Sequence, residues 1–173
     1  MPPALEHPAV RQVIDAAARK GVDLEVMAFP DSTHTAEDAA RAVGGQLGQI
    51  VKSLVFVTTG DDGEAEPVVC LVSGINRVDL ERLAAVLGRR DVRRATAREA
   101  DELTGFTIGG IPPFGHSRRT RVVMDPDLGR FETVWAAAGL PTAVFPVSPA
   151  TLRMLADAHV APIAEEPPVL QAS

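Results

Sequence analysis

Two apolar runs, QIVKSLVFV at 49–57 and EPVVCLVSG at 66–74, stand on either side of GDDGEA at 60–65, a loop of turn-forming residues. Such runs joined by such a loop predict a β-hairpin. Odd and even positions are both apolar, so neither strand has a face suited to water, and the hairpin belongs in the middle of a sheet covered on both sides. In the first strand Ile50, Lys52, Leu54 and Phe56 share one face, and Val51, Ser53, Val55 and Val57 share the other. Lys52 is the exception. An unpartnered buried ammonium costs several kcal/mol, so its head has three ways out: a carboxylate, a ligand anion, or water at the rim of the strand.

The remaining segments fit around this hairpin. EHPAVRQVIDAAARK, 6–20, puts Val10, Val13, Ile14 and Ala17 on one helical stripe, with Gly21 as a stop. DLEVMAF, 23–29, alternates as a strand does and ends at Pro30. Thr35 is placed to cap a short helix that carries Glu37 and Asp38 in its first turn and ends at Gly44 and Gly45. RVDLERLAAVLG and AREADELTG read as helices, and DVRRAT, TRVVMD and TAVFPVS as strands. SPATLRMLADA has Ser148 as N-cap and Pro149 at the first helical position. FETVWAAAG suits helix and strand equally. The mixture of a hairpin with strand-helix units predicts an α/β mixed fold, one domain over 1–173, with residues 1–5 and 166–173 frayed.

Composition narrows the function classes. The apolar runs are far too short for a membrane-spanning helix, and Glu6, His7, Arg11 and Asp15 occupy the place of a signal-peptide core, so a cytoplasmic protein without membrane association is expected. Cys70 is the single cysteine, which excludes an internal disulfide, and His7, His34, His116 and His159 lack ligand spacing, so no metal is expected. The net charge of −6 is unevenly spread. Residues 1–76 carry five basic and eleven acidic side chains, 77–121 ten and six, and 122–173 two and six. This basic island can meet phosphates even on an acidic protein, or simply solvate a surface.

No Walker loop, dinucleotide fingerprint, nucleophile elbow or HExxH is present. What remains besides Lys52 is TIGGIPPFGH, 107–116, in which Gly109, Gly110, Gly115, Pro112 and Pro113 exclude regular structure. Glycines let a backbone approach a ligand and present N–H groups, so the segment suits either an oxyanion site or a tight structural turn.

Together these stretches resemble the YbaK-like, prolyl-tRNA editing family. The resemblance runs from about Thr35 to Leu155. It rests on TAEDAARAVGGQLGQIVKSLVFV, on GGIPPFGH, and on VVMDPDLG followed by WAAAGLPTAVFPVSPATLRML. It implies a central mixed, barrel-like curled β-sheet flanked by helices. It also implies a free-standing trans-editing deacylase, without cofactor, acting on the 3′ acceptor end of mischarged tRNA, proline tRNA carrying Cys or Ala above all. Prolyl-tRNA synthetase is the accompanying partner, and a non-catalytic tRNA- or nucleotide-binding module is the alternative. On this resemblance Lys52, Gly109, Gly110 and Pro113 are the catalytic candidates. Thr33, His34, Ser53, Ile111, Phe114 and His116 are expected to bind substrate, and Arg118, Arg119 and Arg121 to meet tRNA phosphates. Pro112 departs from the family pattern, where a smaller residue is expected, and would narrow the pocket. Asp125 and Asp127 are expected to form a turn.

Overall fold

The computed structural model describes residues 3–30 and 35–166. Thr33 and His34 lie outside the described residues. The predicted hairpin is present: β2 (Val51–Thr59) pairs antiparallel with β3 (Ala65–Ser73) along its whole length, with Lys52 opposite Val72. It is covered on both faces, as its sequence requires. Val51, Val55, Val57 and Leu71 pack with Val10 and Val13 of α2 (Pro8–Ala18) and with Phe145 and Leu152. Phe56, Val68, Cys70 and Val72 pack instead with Leu83 and Leu87 of α4 (Leu80–Leu87) and with Ile163. Burial pushes the Cys70 thiol up to about 12, so it serves as a small core residue.

The architecture is mixed α/β, but the strands do not form one curled, barrel-like sheet. There are two sheets among the described residues, neither of them closed. One runs β4-β2-β3-β5-β8, where β4 is Arg93–Arg94, β5 Arg121–Met124 and β8 His159–Val160; the β3–β5 and β5–β8 pairings are parallel. The other runs β1-β7-β6, with β1 Met27–Ala28, β7 Ala143–Val147 and β6 Val134–Ala137. They meet at a single parallel bridge between Ile50 and Trp135. Closure fails because the outer edge of β2 is occupied only at its ends. Trp135 reaches Ile50, and β4 pairs at Phe56 and Val57, where Ala95 N–H donates to Val55 O (3.0 Å). Backbone groups alternate sides along a strand, so Ser53 N–H and C=O point to the same side as those of Val55, into the gap.

Local chemistry set most other elements as expected. Thr35 accepts from Asp38 N–H (3.0 Å) and caps α3 (Ala36–Val43), which closes at Gly44 in the left-handed region (φ 70°). Thr96 and Glu99 form a capping box on α5 (Ala97–Thr104), and Ser148 caps α6 (Pro149–Ala156). FETVWAAAG resolves to strand β6, with Val134 and Ala136 buried. The segment 22–28 keeps its alternation in burial, yet it is hydrogen-bonded as a strand only over Met27–Ala28. Order also reaches further toward both ends than composition suggested: Pro3–Glu6 forms a short helix, α1, with Leu5 against the core, and Glu166 pairs with Arg82 (2.7 Å).

The short strand β4 depends on two carboxylates. Asp91 accepts from Thr58 Oγ1 (2.6 Å) and Thr59 N–H (2.9 Å), and these bonds lower its pKa to about 2. Glu99, paired with Arg93 (2.6 Å) and bonded to Thr96 N–H, is likewise held at about 2. A carboxylate depressed in the folded state contributes stability that is present above its unfolded pKa of about 4 and lost as pH falls toward 2. Asp91→Asn is therefore expected to lower Tm at neutral pH and to flatten its decline between about pH 4 and pH 2, as checked by thermal melts across that range.

Candidate active site

The gap beside β2 opens into a cavity of about 310 Å³, at the low end of the range for small-molecule sites. Its floor and walls are largely apolar: Ile50 just before β2, Val51, Leu54 and Val55 from β2, Ala36 and Ala39 from α3, Trp135 to Ala137 from β6, Val144 from β7, and Ile111. Polar groups enter at few points, namely Thr35, Lys52, Ser53 and Arg94, with the backbone of Gly109.

Lys52 is half-buried, and its Nζ donates to the carbonyl of Asn76, in the turn that follows β3. That carbonyl is held in place from behind, because Asn76 Nδ2 donates to Asp127 Oδ2 (2.7 Å) and Asn76 N–H to Ser73 O (2.9 Å). The ammonium is thus aimed by a neutral acceptor and keeps its charge uncompensated. Burial lowers its pKa, and the nearby Arg77 and Arg94 charges lower it further, against a weaker opposing pull from Glu37. Lys20, the other lysine of the chain, has a structural place, donating to Met154 O (3.1 Å) and Leu155 O (3.0 Å) at the C-terminus of α6.

The glycine-rich loop contributes Gly109 and Ile111 to the wall of the same cavity. Gly110 N–H closes a turn onto Thr107 O (3.0 Å), and Gly109 sits at φ 99°, a conformation that disfavours any side chain. Gly110 is required for a second reason: a Cβ there would lie 2.8 Å from the backbone of Leu140. This close packing fixes Gly109 and Ile111 at the cavity wall.

Of the residues expected at the site, the cavity gathers Lys52, Ser53, Gly109 and Ile111, with Gly110 directly behind them. Others serve the scaffold. Pro113 is buried off the cavity wall, and Phe114 packs edge-on against Phe145 (5.7 Å). His116 binds Pro112 O through Nε2 (2.8 Å), and burial pushes its pKa down; it faces a different groove, beside Arg19 and Lys20. Pro112 therefore braces the loop and does not narrow the cavity. Arg118, Arg119 and Arg121 line a third groove, at the tip end of the hairpin, together with Asp62, Glu64, Glu66 and Asp157. Asp125 is a buried turn former as expected, accepting from Ile163 (2.9 Å), Ala164 (3.0 Å) and Asp127 (3.0 Å) N–H groups.

Three residues were missed by sequence reasoning: Asn76, Arg94 and Trp135. The only signals were the membership of Arg94 in the basic island and the uniqueness of the tryptophan. Among the described residues no group of three or more His, Cys, Asp or Glu is placed to hold a metal ion, and no helix is long and apolar enough to cross a membrane.

The site is thus a largely apolar cavity of a mixed α/β domain in which Lys52 and a glycine-rich loop share the wall. The sequence matches the aminoacyl-tRNA editing domain over residues 30–155, and the chain belongs to that family. A solved structure of a candidate trans-editing enzyme for prolyl tRNA synthetase is similar over 92% of this chain and 99% of its own, with 45% identity and a TM-score of 0.83. The multifunctional Ser/Thr-tRNA deacylase ProXp-y of Escherichia coli (strain K12) is 33% identical over 75% of this chain and 77% of its own length. A candidate Cys-tRNA(Pro)/Cys-tRNA(Cys) deacylase, EbsC of Enterococcus faecalis, is 25% identical over 79% and 80%.

Gly110→Ala is expected to destabilise the fold by about 1–3 kcal/mol, because the added methyl meets rigid backbone. Gly129→Ala, where nothing lies within 4 Å of the added Cβ, is expected to change stability by less than about 0.5 kcal/mol. Chemical denaturation of the two variants checks both.

Proposed function

We propose that the protein hydrolyses the ester joining a wrong amino acid to the 3′-terminal adenosine of tRNA, with proline tRNA carrying Cys or Ala as the substrate. The observation that carries this reading is the convergence of Lys52 with Gly109 and Ile111 on one cavity beside the open edge of β2. The family and the descriptions of its relatives support it.

The chemistry asks little of side chains. An aminoacyl ester is activated by its own leaving group, so positioning and stabilisation of the developing oxyanion supply much of what a triad would. Water adds to the acyl carbon, the bond from that carbon to the ribose oxygen breaks, and the ribose oxygen takes a proton; the vicinal hydroxyl of the sugar can relay it. In this reading Gly109 and Ile111, which line the cavity, hold the ester carbonyl, and Lys52 supplies positive charge to the sugar-phosphate side. Ser53 N–H and C=O, on the open strand edge, are available to the aminoacyl group.

The apolar walls, Val51, Ile111, Ala136 and Val144, suit a short side chain. A second reading, Ser or Thr as the amino acid removed, is favoured by one observation: Ser53 Oγ is buried with no hydrogen-bond partner among the described residues. Such a hydroxyl is a hydrogen-bonding group at the cavity wall that a polar substrate could engage once a small shift of the wall uncovers it. The description of the Escherichia coli relative points the same way.

A deacylation panel of proline tRNA charged with Ala, Cys, Ser, Thr and Pro tests the reading, with Cys and Ala esters expected to be cleaved and the Pro ester spared. Preferential cleavage of Ser and Thr esters, reduced about 10-fold or more by Ser53→Ala, would establish the second reading instead. Lys52→Ala is expected to lower kcat/KM by at least about 100-fold with Tm little changed. Asn76→Ala, which frees the carbonyl that aims Lys52, is expected to cost about 10-fold, mainly in kcat. Full activity of Lys52→Ala would refute the assignment.

A further inference from the structure

We propose that Arg94 forms a phosphate clamp at the rim of this cavity that grips the sugar-phosphate backbone of a single-stranded RNA end, and that the Arg118–Arg121 groove has no part in it. The proposal rests on the deacylase reading for its ligand, but its geometry is independent of it.

Arg94 is placed by β4. Its pairing with Phe56 sets its guanidinium over the Phe56 ring, 5.6 Å from the centroid, and at the cavity wall. Stacking on one face leaves the guanidinium edge, where its N–H donors lie, free for a bidentate acceptor. Four other arginines of the basic island are already engaged. Arg93 pairs with Glu99 (2.6 Å), Arg98 with Glu102 (2.9 Å), Arg89 with Asp61 (3.0 Å) and Arg82 with Glu166 (2.7 Å). Arg77 and Arg94 have no carboxylate within ion-pair distance among the described residues.

Both act through space on Lys52, whose own head is held by a carbonyl and not by an anion. Lys52 and Arg94 thus share the cavity wall, and among the described residues the exposed Glu37 is the one acid that pulls against them at Lys52. Like charges held together raise the free energy of the empty site, and a bound polyanion relieves it. The groove holding Arg118, Arg119 and Arg121 has the opposite character, because Asp62, Glu64, Glu66 and Asp157 line it and would repel phosphate.

The test compares two substrates that share the ester and differ in phosphate: misacylated tRNA and the corresponding 3′-aminoacyl-adenosine. Arg94→Gln is expected to lower kcat/KM on the tRNA by about 10-fold or more, with a loss at least about five-fold smaller on the aminoacyl-adenosine. It should also reduce the slope of log kcat/KM against log salt by about 0.7, the value for one single-strand phosphate contact. Arg94→Lys should recover part of the loss, and the triple variant Arg118→Gln, Arg119→Gln, Arg121→Gln should stay within about two-fold of the parent on tRNA. Equal losses on both substrates, no loss on tRNA, or a triple variant as impaired as Arg94→Gln would each overturn the clamp. If the parent protein cleaves neither substrate, the deacylase reading fails. The clamp is then judged by binding of the trinucleotide CCA: weaker binding by Arg94→Gln supports it, and equal affinities overturn it.

Discussion

The backbone edge of β2 is the constraint on which the rest of the structure depends. On its inner side the strand is paired with β3 from Val51 to Thr59; on its outer side it is paired only where Trp135 meets Ile50 and where β4 meets Phe56 and Val57. A strand edge in a protein interior must have its N–H and C=O groups satisfied, covered or left to a ligand. Here the middle of the edge is left open, and the wall opposite is made by the second sheet and by the glycine-rich loop. The cavity is the consequence of an incomplete sheet.

Charge follows the same geometry. Lys52 lies on the strand that borders the opening, so its ammonium is drawn toward the turn after β3, where Asn76 offers a carbonyl. Asp127 enters only as the anchor of Asn76. A neutral acceptor orients the lysine without quenching it, whereas a direct carboxylate partner would have cancelled the field that a phosphate or an oxyanion needs. The depressed pKa of Lys52, due first to burial and then to Arg77 and Arg94, expresses that same lack of compensation.

The two hallmark stretches found in the sequence both contribute to the cavity lining, and their residues divide into two kinds. Lys52, Ser53, Gly109 and Ile111 face the cavity. Pro113, Phe114 and His116 hold the loop to the core, and composition could not separate them, because a loop that must approach a ligand also needs a rigid back. The arginines nearest the loop in sequence, Arg118, Arg119 and Arg121, were the natural candidates for phosphate contacts. The chain carries them to the β3 side of the hairpin, where Arg121 pairs with Val68; at that same level Arg94 pairs with Phe56 on the open side of β2. Arg94, distant in sequence, is brought to the rim because β4 attaches to the far end of the same strand edge.

The sequence by itself determined the doubly covered hairpin, the caps of α3 and α6, the irregular course of the glycine loop and the presence of one lysine on an otherwise apolar strand. Each depends on periodicity or on bonds between residues close in the chain. Only the tertiary structure decided that there are two sheets and no barrel, that FETVWAAAG is a strand, that Lys52 is aimed by Asn76, and which arginines stand at the cavity. Those outcomes depend on which strand edges find partners across long separations, and local patterns of residues carry no record of that choice.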